Sequence, residues 1–237
     1  MFAAVPAFAF VAPNTLTATF QVNASAMLGT ETLTATLGAS MATGMILVKP
    51  LSGLVVNEVD YNNAGLDLKE YVELYNGTGA PYDLAKHALV LVNGADSKEY
   101  KRYDLSSLGV LPAGAYVVLG SDAALATVPG GVKTVSFGAS KDYVQNGAPD
   151  AVGILDVANG KLVDALSYEG SVTMAKLTGI VNPVSFVEGT ALDGLVVFDP
   201  PDIDAALCRS SKSGDTNDAS KDWKVCKTLT PGAANAP

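Results

Sequence analysis

The stretch "VVNEVDYNNAGLDLKEYVELYN", Val55 to Asn76, decides how the rest of the chain is read. It holds three glutamates, Glu58, Glu70 and Glu73, beside Tyr61, Tyr71 and Tyr75, and carboxylates gathered near aromatics can form an acid/base site. In an extended strand alternate residues share a face, so Glu73 goes with Tyr71 and Tyr75, whereas Glu70 goes with Val72 and Leu74. The two carboxylates therefore point apart. A glycosidase pair must converge on one bond at about 5–9 Å, which Glu70 and Glu73 cannot do without a bulge. Glu58 can approach one of them across a hairpin, but two close carboxylates need a cation or a raised pKa to coexist. The stretch thus reads as the first hairpin of a domain. Its glutamates are expected to be rim carboxylates that accept backbone N–H or tyrosine O–H hydrogen bonds and fix the strand register.

Downstream, short apolar runs recur between turn signals. "YVELYN", "HALVLVNG", "GAYVVLG", "AVGILDVANG" and "LVDALSY" read as strands, and no long stretch keeps a helical period. Four Asn-Gly pairs, at Asn76-Gly77, Asn93-Gly94, Asn146-Gly147 and Asn159-Gly160, mark tight turns because both residues tolerate positive φ. This pattern predicts an all-β, antiparallel β-sandwich.

Composition limits the function classes. Of 237 residues, 49% are hydrophobic and 16% charged, enough apolar material for a real core. The net charge of -9 and the absence of any Lys/Arg run argue against nucleic acid as a partner, since neutralising phosphate requires a positive face. The opening "MFAAVPAFAFVAPN" lacks the basic n-region of a signal peptide, is interrupted by Pro6 and Pro13, and is too short to span a membrane. It is read as a chain whose leader has been removed or as the tail of a longer protein.

Residues 1–50 differ from the rest. They are rich in Ala, Thr and Val, and only Glu31 and Lys49 carry charge. "NTLTATFQVNAS", "ETLTATLGAS" and "MATGMILVKP" alternate with period two and resemble the last strands of a bacterial immunoglobulin-like domain, of which only a part is present. A partial sandwich leaves an apolar face and unpaired strand edges that another segment or another copy must cover.

A second resemblance covers residues 53–170. "LVVNEVDYNNAGLDLKEYVELYNGTGAPYDLAKHALVLVNG", "YDLSSLGVLPAGAYVVLG" and "NGAPDAVGILDVANGKLVDALSYEG" together resemble the bacterial lamin tail domain. The tail, residues 171–237, resembles that of bacterial members: "EGT" at Glu188, then "LCRSSKSGDTNDASKDWKVCKTLTPGAAN". Asn57-Glu58, the EYVELYN strand, LPAGAYVVLG and the terminal TPGAAN are specific in this order. The resemblance implies an immunoglobulin-like antiparallel β-sandwich over residues 51–237, preceded by an additional N-terminal β segment over residues 1–50. It also implies a non-catalytic accessory of secreted or cell-surface proteins. His87 departs from the pattern, standing where an aromatic is commoner.

The remaining candidates are few. His87 is the single histidine, so any Ser-His-Asp or Cys-His site must use it, yet it lies beside an apolar strand and reads as a packed or edge imidazole. There is no Gly-x-Ser-x-Gly elbow and no phosphate-cradling Gly-Lys-Ser/Thr loop. Cys208 and Cys226 are either a disulfide, which implies an oxidising compartment, or two free thiols; zinc lacks its four ligands. The acidic tail, Asp199, Asp202 and Asp204 followed by Asp215, Asn217, Asp218 and Asp222, has the oxygen chemistry of a calcium site. The EF-hand register nevertheless fails at Ala219 and Ser220, which favours a solvated loop pinned by a Cys208–Cys226 bridge and by Trp223 inserting into the sandwich, with no cofactor.

Three functions follow. The first is a structural or assembly module of an extracellular surface, self-associating by strand addition from residues 1–50, its partner a second copy or a neighbouring immunoglobulin-like domain. The second is a binding or targeting module of a larger adhesin or hydrolase, with Tyr61, Tyr71, Tyr75 and Tyr82 as an exposed contact for carbohydrate or protein. The third is a carboxylate enzyme, which the strand geometry disfavours.

Overall fold

Period-two alternation runs through both parts of the chain, and the computed structural model turns it into sheets. Residues 3–4, 6–15, 17–20, 23–24, 29–48, 53–192, 194–209 and 213–237 are described. The chain divides into two compact units, residues 1–50 and residues 51–237.

In the first unit β1 (Ala3–Ala4) pairs with β2 (Asn23–Ala24), and β3 (Gly29–Leu37) pairs antiparallel with β4 (Ser40–Val48). The β3–β4 turn closes at Gly38, whose φ of 61° belongs to the left-handed region that glycine adopts without strain. Thr32, Thr34 and Thr36 alternate with Leu33, Ala35 and Leu37 along β3. Leu37, Met41 and Met45 are 81%, 70% and 79% exposed.

The second unit is an immunoglobulin-like sandwich. Its strands are β5 (Leu54–Asp60), β6 (Tyr71–Asn76), β7 (Tyr82–Asp83), β8 (His87–Asn93), β9 (Lys98–Asp104), β10 (Val110–Leu111), β11 (Tyr116–Ser121), β12 (Lys133–Gly138), β13 (Asp150–Asp156), β14 (Lys161–Tyr168), β15 (Ala206–Arg209) and β16 (Trp223–Cys226). One-turn helices α1 (Asp122–Leu125) and α2 (Ala219–Asp222) sit between strands. A six-stranded sheet runs in the order β12-β11-β6-β5-β15-β16, a four-stranded sheet in the order β14-β13-β8-β9, and β7 pairs with β10. All pairs are antiparallel except β11 with β12. Of the Asn-Gly pairs, Asn93-Gly94 falls at the β8–β9 hairpin and Asn159-Gly160 at the β13–β14 hairpin.

The core lies between the sheets. Val56, Val59, Val72, Leu74, Val117, Leu119 and Leu207 from one sheet meet Leu89, Leu91, Val152, Ile154, Leu166 and Tyr168 from the other. Each such side chain contributes about 1.5–3 kcal/mol by leaving water. The opposite face of the four-stranded sheet, with Val90, Val92, Ala151, Leu155 and Ala165, is buried under Val172, Ala175, Leu177 and Phe186. That double burial is why "ALVLV" is apolar without alternation. On the outer face of the six-stranded sheet Tyr71 and Val118 pack beneath Ala124 of α1.

Candidate functional site: buried carboxylates and a buried arginine

One backbone irregularity arranges the first group of acids. The β5–β6 register shifts between Val56 and Glu58, leaving Asn57 as the extra residue of a β-bulge. The bulge lets Val56 and Val59 both enter the core and sets Glu58 directly opposite Glu73. Alternation read from sequence carries no bulge, so this pairing appears only in the structure.

Glu58, Glu70 and Glu73 are fully buried. The sequence expectation of rim carboxylates is corrected on this point, because two later segments, residues 143–144 and 230–235, cover them. Thr230 donates to Glu58 from its backbone N–H (3.2 Å) and its hydroxyl (2.9 Å). Gly232 N–H and Asn57 Nδ2 donate to Glu73. Tyr143 and Val144 N–H donate to Glu70 at 2.7 and 3.0 Å. Asn235 completes the seam, its Nδ2 donating to the carbonyls of Asn57 (3.1 Å) and Arg209 (2.9 Å). Gly232 has a φ of 85°, and a Cβ there would crowd Val128, Pro129 and Val132 at 3.0–3.1 Å, so the turn that delivers its N–H requires glycine. Burial pushes Glu58 and Glu73 above the ordinary carboxylate range, against the pull of their donors, and takes Glu70 to about 7.

A second group surrounds a cation supplied by the chain. Arg209, wholly buried at the end of β15, meets both oxygens of Asp164 (2.9 and 3.0 Å) through Nη2 and donates from Nε to the Val56 carbonyl at 2.8 Å. Its Nη1 reaches Asp215 at 3.3 Å and Asp222 at 3.2 Å, and Nη2 lies 3.7 Å from Glu188. Trp223 covers the guanidinium, its ring centre 4.9 Å from Cζ, and is itself in the core. Asp164, Glu188 and Asp215 bring ligand-type oxygens within 4.8 Å of one another, and Arg209 touches all three. Arg209 carried no recognisable motif.

Of the tail residues proposed from sequence for calcium, Asp215, Asp218 and Asp222 are engaged by protein donors. Asp222 accepts from Thr216 N–H and hydroxyl, both at 2.8 Å, besides Arg209. Asp215 accepts from Asn217 N–H at 2.9 Å. Asp218 accepts from Ser220 and Lys221. Asn217 sits at a φ of 54° between them. Cys208 and Cys226 form a disulfide across β15 and β16, their Cα atoms 5.9 Å apart, and no free cysteine remains.

His87 is half-buried at the start of β8, its Nε2 3.2 Å from the Tyr82 hydroxyl. The set of exposed tyrosines is also corrected: Tyr61 and Tyr71 are buried in the sandwich, and only Tyr75 and Tyr82 are partly accessible. Tyr61 stacks on Tyr168 at 4.3 Å, and its hydroxyl donates to Glu169 and accepts from Asp199 N–H.

Taken together these groups hold chain to chain. Two sheets with Greek-key-like strand exchange and inward acids locking distant segments define an immunoglobulin-like domain. The lamin tail domain family matches residues 48–170, a little over half of the sequence, and the chain belongs to that family. Its members are immunoglobulin-like domains that are generally non-catalytic. Among curated proteins no match was found. Among the described residues no helix is long and apolar enough to cross a membrane.

Proposed function

We propose that the protein is a non-catalytic structural module of an extracellular or cell-surface assembly, joined to a second copy or a neighbouring immunoglobulin-like domain by strand addition from residues 1–50. The observation that carries this reading is the β3–β4 hairpin. Its strands are nine residues each, it forms a two-stranded sheet, and Leu37, Met41 and Met45 are exposed on it. An unprotected two-stranded edge is a template for another strand. The disulfide fits an oxidising compartment.

Light scattering on the full chain and on a chain beginning at Leu51 tests the reading. Higher-order species from the full chain alone support it. Monomers in both cases remove it and favour the alternative, a ligand-binding or targeting module. For that alternative Tyr75, with its ring centre 4.9 Å from that of Tyr116, and Tyr82 are the tyrosines of the proposed contact that stay partly accessible.

A further inference from the structure

A cleft of about 340 Å³ opens beside the start of β13, and Pro149 forms part of its wall. The backbones at Gly94 and Gly170 close on this proline. A Cβ at Gly94 would lie 2.1 Å from the Pro149 carbonyl oxygen, and one at Gly170 would lie 2.9 Å from Pro149 Cβ. Two glycines thus let the β8–β9 turn and the end of β14 hold that wall in place. A second wall, residues 142–147, is tied to Asp67: Asp142 N–H donates to the Asp67 carbonyl at 3.4 Å, and Asn146 Nδ2 donates to its carboxylate at 3.2 Å. Gln145 is fixed through its backbone, its N–H donating to the Tyr100 hydroxyl at 3.0 Å and its carbonyl accepting from the Tyr168 hydroxyl at 2.7 Å.

Two acceptors in this lining lack a donor. Asp150 is 2% exposed, and its Oδ1 accepts from Gly94 N–H at 3.1 Å. Its Oδ2 is buried without a hydrogen-bond partner, and so is Gln145 Oε1. The Gly147 N–H draws on the Asp150 carboxylate without closing a hydrogen bond to Oδ2. A buried acceptor left unpaired is costly, so both atoms call for a donor from the cleft. The lining holds three carboxylates, Asp67, Asp142 and Asp150, and no basic residue, which favours a positively charged donor over a neutral hydroxyl. Lys141 pairs with Asp142 at 3.1 Å, but both side chains are half exposed or more, and solvent screens that contact. Burial lifts Asp150 only to about 6, so it is ionised at neutral pH.

The spacing of the acids selects the kind of cation. Among the described residues Asp164, Glu188 and Asp215 are the acids whose oxygens lie within 4.8 Å of one another, so Asp67, Asp142 and Asp150 stand too far apart for all three to share one metal ion. A guanidinium is best met by both oxygens of one carboxylate, and Asp150 offers one. An ammonium carries three donors that point independently, and an alkyl stem behind it can lie along Ala95, Val144 and Ala148. We propose that this cleft binds an alkylammonium group, the end of a lysine side chain or of a free polyamine, with one N–H directed to Asp150 Oδ2 and with Asp67 and Asp142 supplying the surrounding negative potential. The site lies wholly within residues 51–237 and is independent of strand addition by residues 1–50.

The test follows the amide NMR signals of the isotope-labelled full chain as spermidine or a capped Gly-Lys-Gly peptide is added, at about pH 7.5 and about 150 mM salt to screen diffuse attraction. Saturable shifts at Asn93, Gly94 and residues 142–150, with a dissociation constant of about 1 mM or tighter, are expected. Tighter binding of the peptide assigns the site to a lysine of a protein partner, and tighter binding of spermidine assigns it to a free polyamine. Asp150→Asn keeps an acceptor for Gly94 N–H and replaces the unpaired oxygen with a donor, and should weaken binding about tenfold or more. Asp142→Asn, an exposed change, should weaken it about threefold, whereas Asp83→Asn, the same charge change on β7, should leave it unaltered. No saturable shift with either probe at about 10 mM, roughly tenfold above that constant, overturns the proposal. Binding that Asp150→Asn and Asp142→Asn leave intact, or that Asp83→Asn weakens as much as they do, overturns it equally.

Discussion

Glu58 and Thr230 are 172 residues apart in sequence and joined by two donors on one carboxylate, the Thr230 N–H at 3.2 Å and its hydroxyl at 2.9 Å. Gly232 donates its N–H to Glu73, and Asn235 bonds the bulge itself. The Asn-Glu pair, the EYVELYN strand and the terminal TPGAAN, quoted together as the signature of the family, are therefore one contact seen at three places in the sequence. The first hairpin and the last residues cannot be ordered independently.

Breaking that contact should destabilise without any other consequence. Glu73→Gln puts an amide N–H against a donor from either Asn57 or Gly232, at a cost of about 1–3 kcal/mol. Asn235→Ala leaves the Asn57 Nδ2 and two carbonyls short of a partner, with a cost of similar size. Urea unfolding measures both, and wild-type midpoints for either variant would show that the tail seam is not a source of stability.

Arg209 makes a sharper case. Its removal strands Asp164, whose side chain is 1% exposed, so Arg209→Ala should cost about 3–5 kcal/mol and leave a chain that unfolds readily at room temperature. Arg209→Lys keeps the charge but cannot reach Asp164, Asp222 and the Val56 carbonyl at once, and should be intermediate. A lysine variant as stable as wild type would mean that charge alone, not the planar fork, holds the cluster.

Much of the architecture was legible because it depends on local pattern. Period two gave the strands, and the Asn-Gly pairs marked two hairpins. Trp223 entering the core and the Cys208–Cys226 bridge were also within reach of sequence spacing and polarity. The acids were not. A strand read residue by residue assigns Glu58 and Glu73 to a rim, since the Asn57 bulge and the covering tail are both invisible to periodicity. Tyr61 and Tyr71 look like surface aromatics for the same reason: what buries them, Tyr168 for one and α1 for the other, lies far along the chain. Arg209 stands alone in sequence and gains its meaning only from Asp164, Glu188, Asp215 and Asp222, brought together by the fold.

Reduction of the disulfide should loosen the C-terminal part of the six-stranded sheet. The bridge closes a loop across a sequence separation of 18, worth about 3 kcal/mol in the chain-entropy picture. Cys208→Ala with Cys226→Ala should lower Tm by about 6–12 °C, and a reducing agent should do the same to the wild type. An unchanged Tm in both would show that the Arg209 cluster alone fixes β15 to β16.

Acidification from pH 8 to pH 5 should stabilise the fold. Burial raises Glu70 to about 7, Glu188 to about 8 and Asp199 to about 8 in the folded chain, whereas unfolded carboxylates titrate near their ordinary values of 4.5 for Glu and 3.8 for Asp. Between those limits the folded state binds more protons than the unfolded one, so stability falls as pH rises. The contribution is complete below the unfolded values and is lost on passing through pH 7–8. Asp104, Asp156 and Asp218 act oppositely, because hydrogen bonds lower them, but they lose their contribution only as pH drops below about 4, outside this window. Reduced self-repulsion from the net charge of -9 has the same sign as the buried acids. Urea midpoints should therefore be higher at pH 5 than at pH 8. A midpoint that instead climbs from pH 5 to pH 8 would mean that these acids are ionised throughout, held so by their backbone donors.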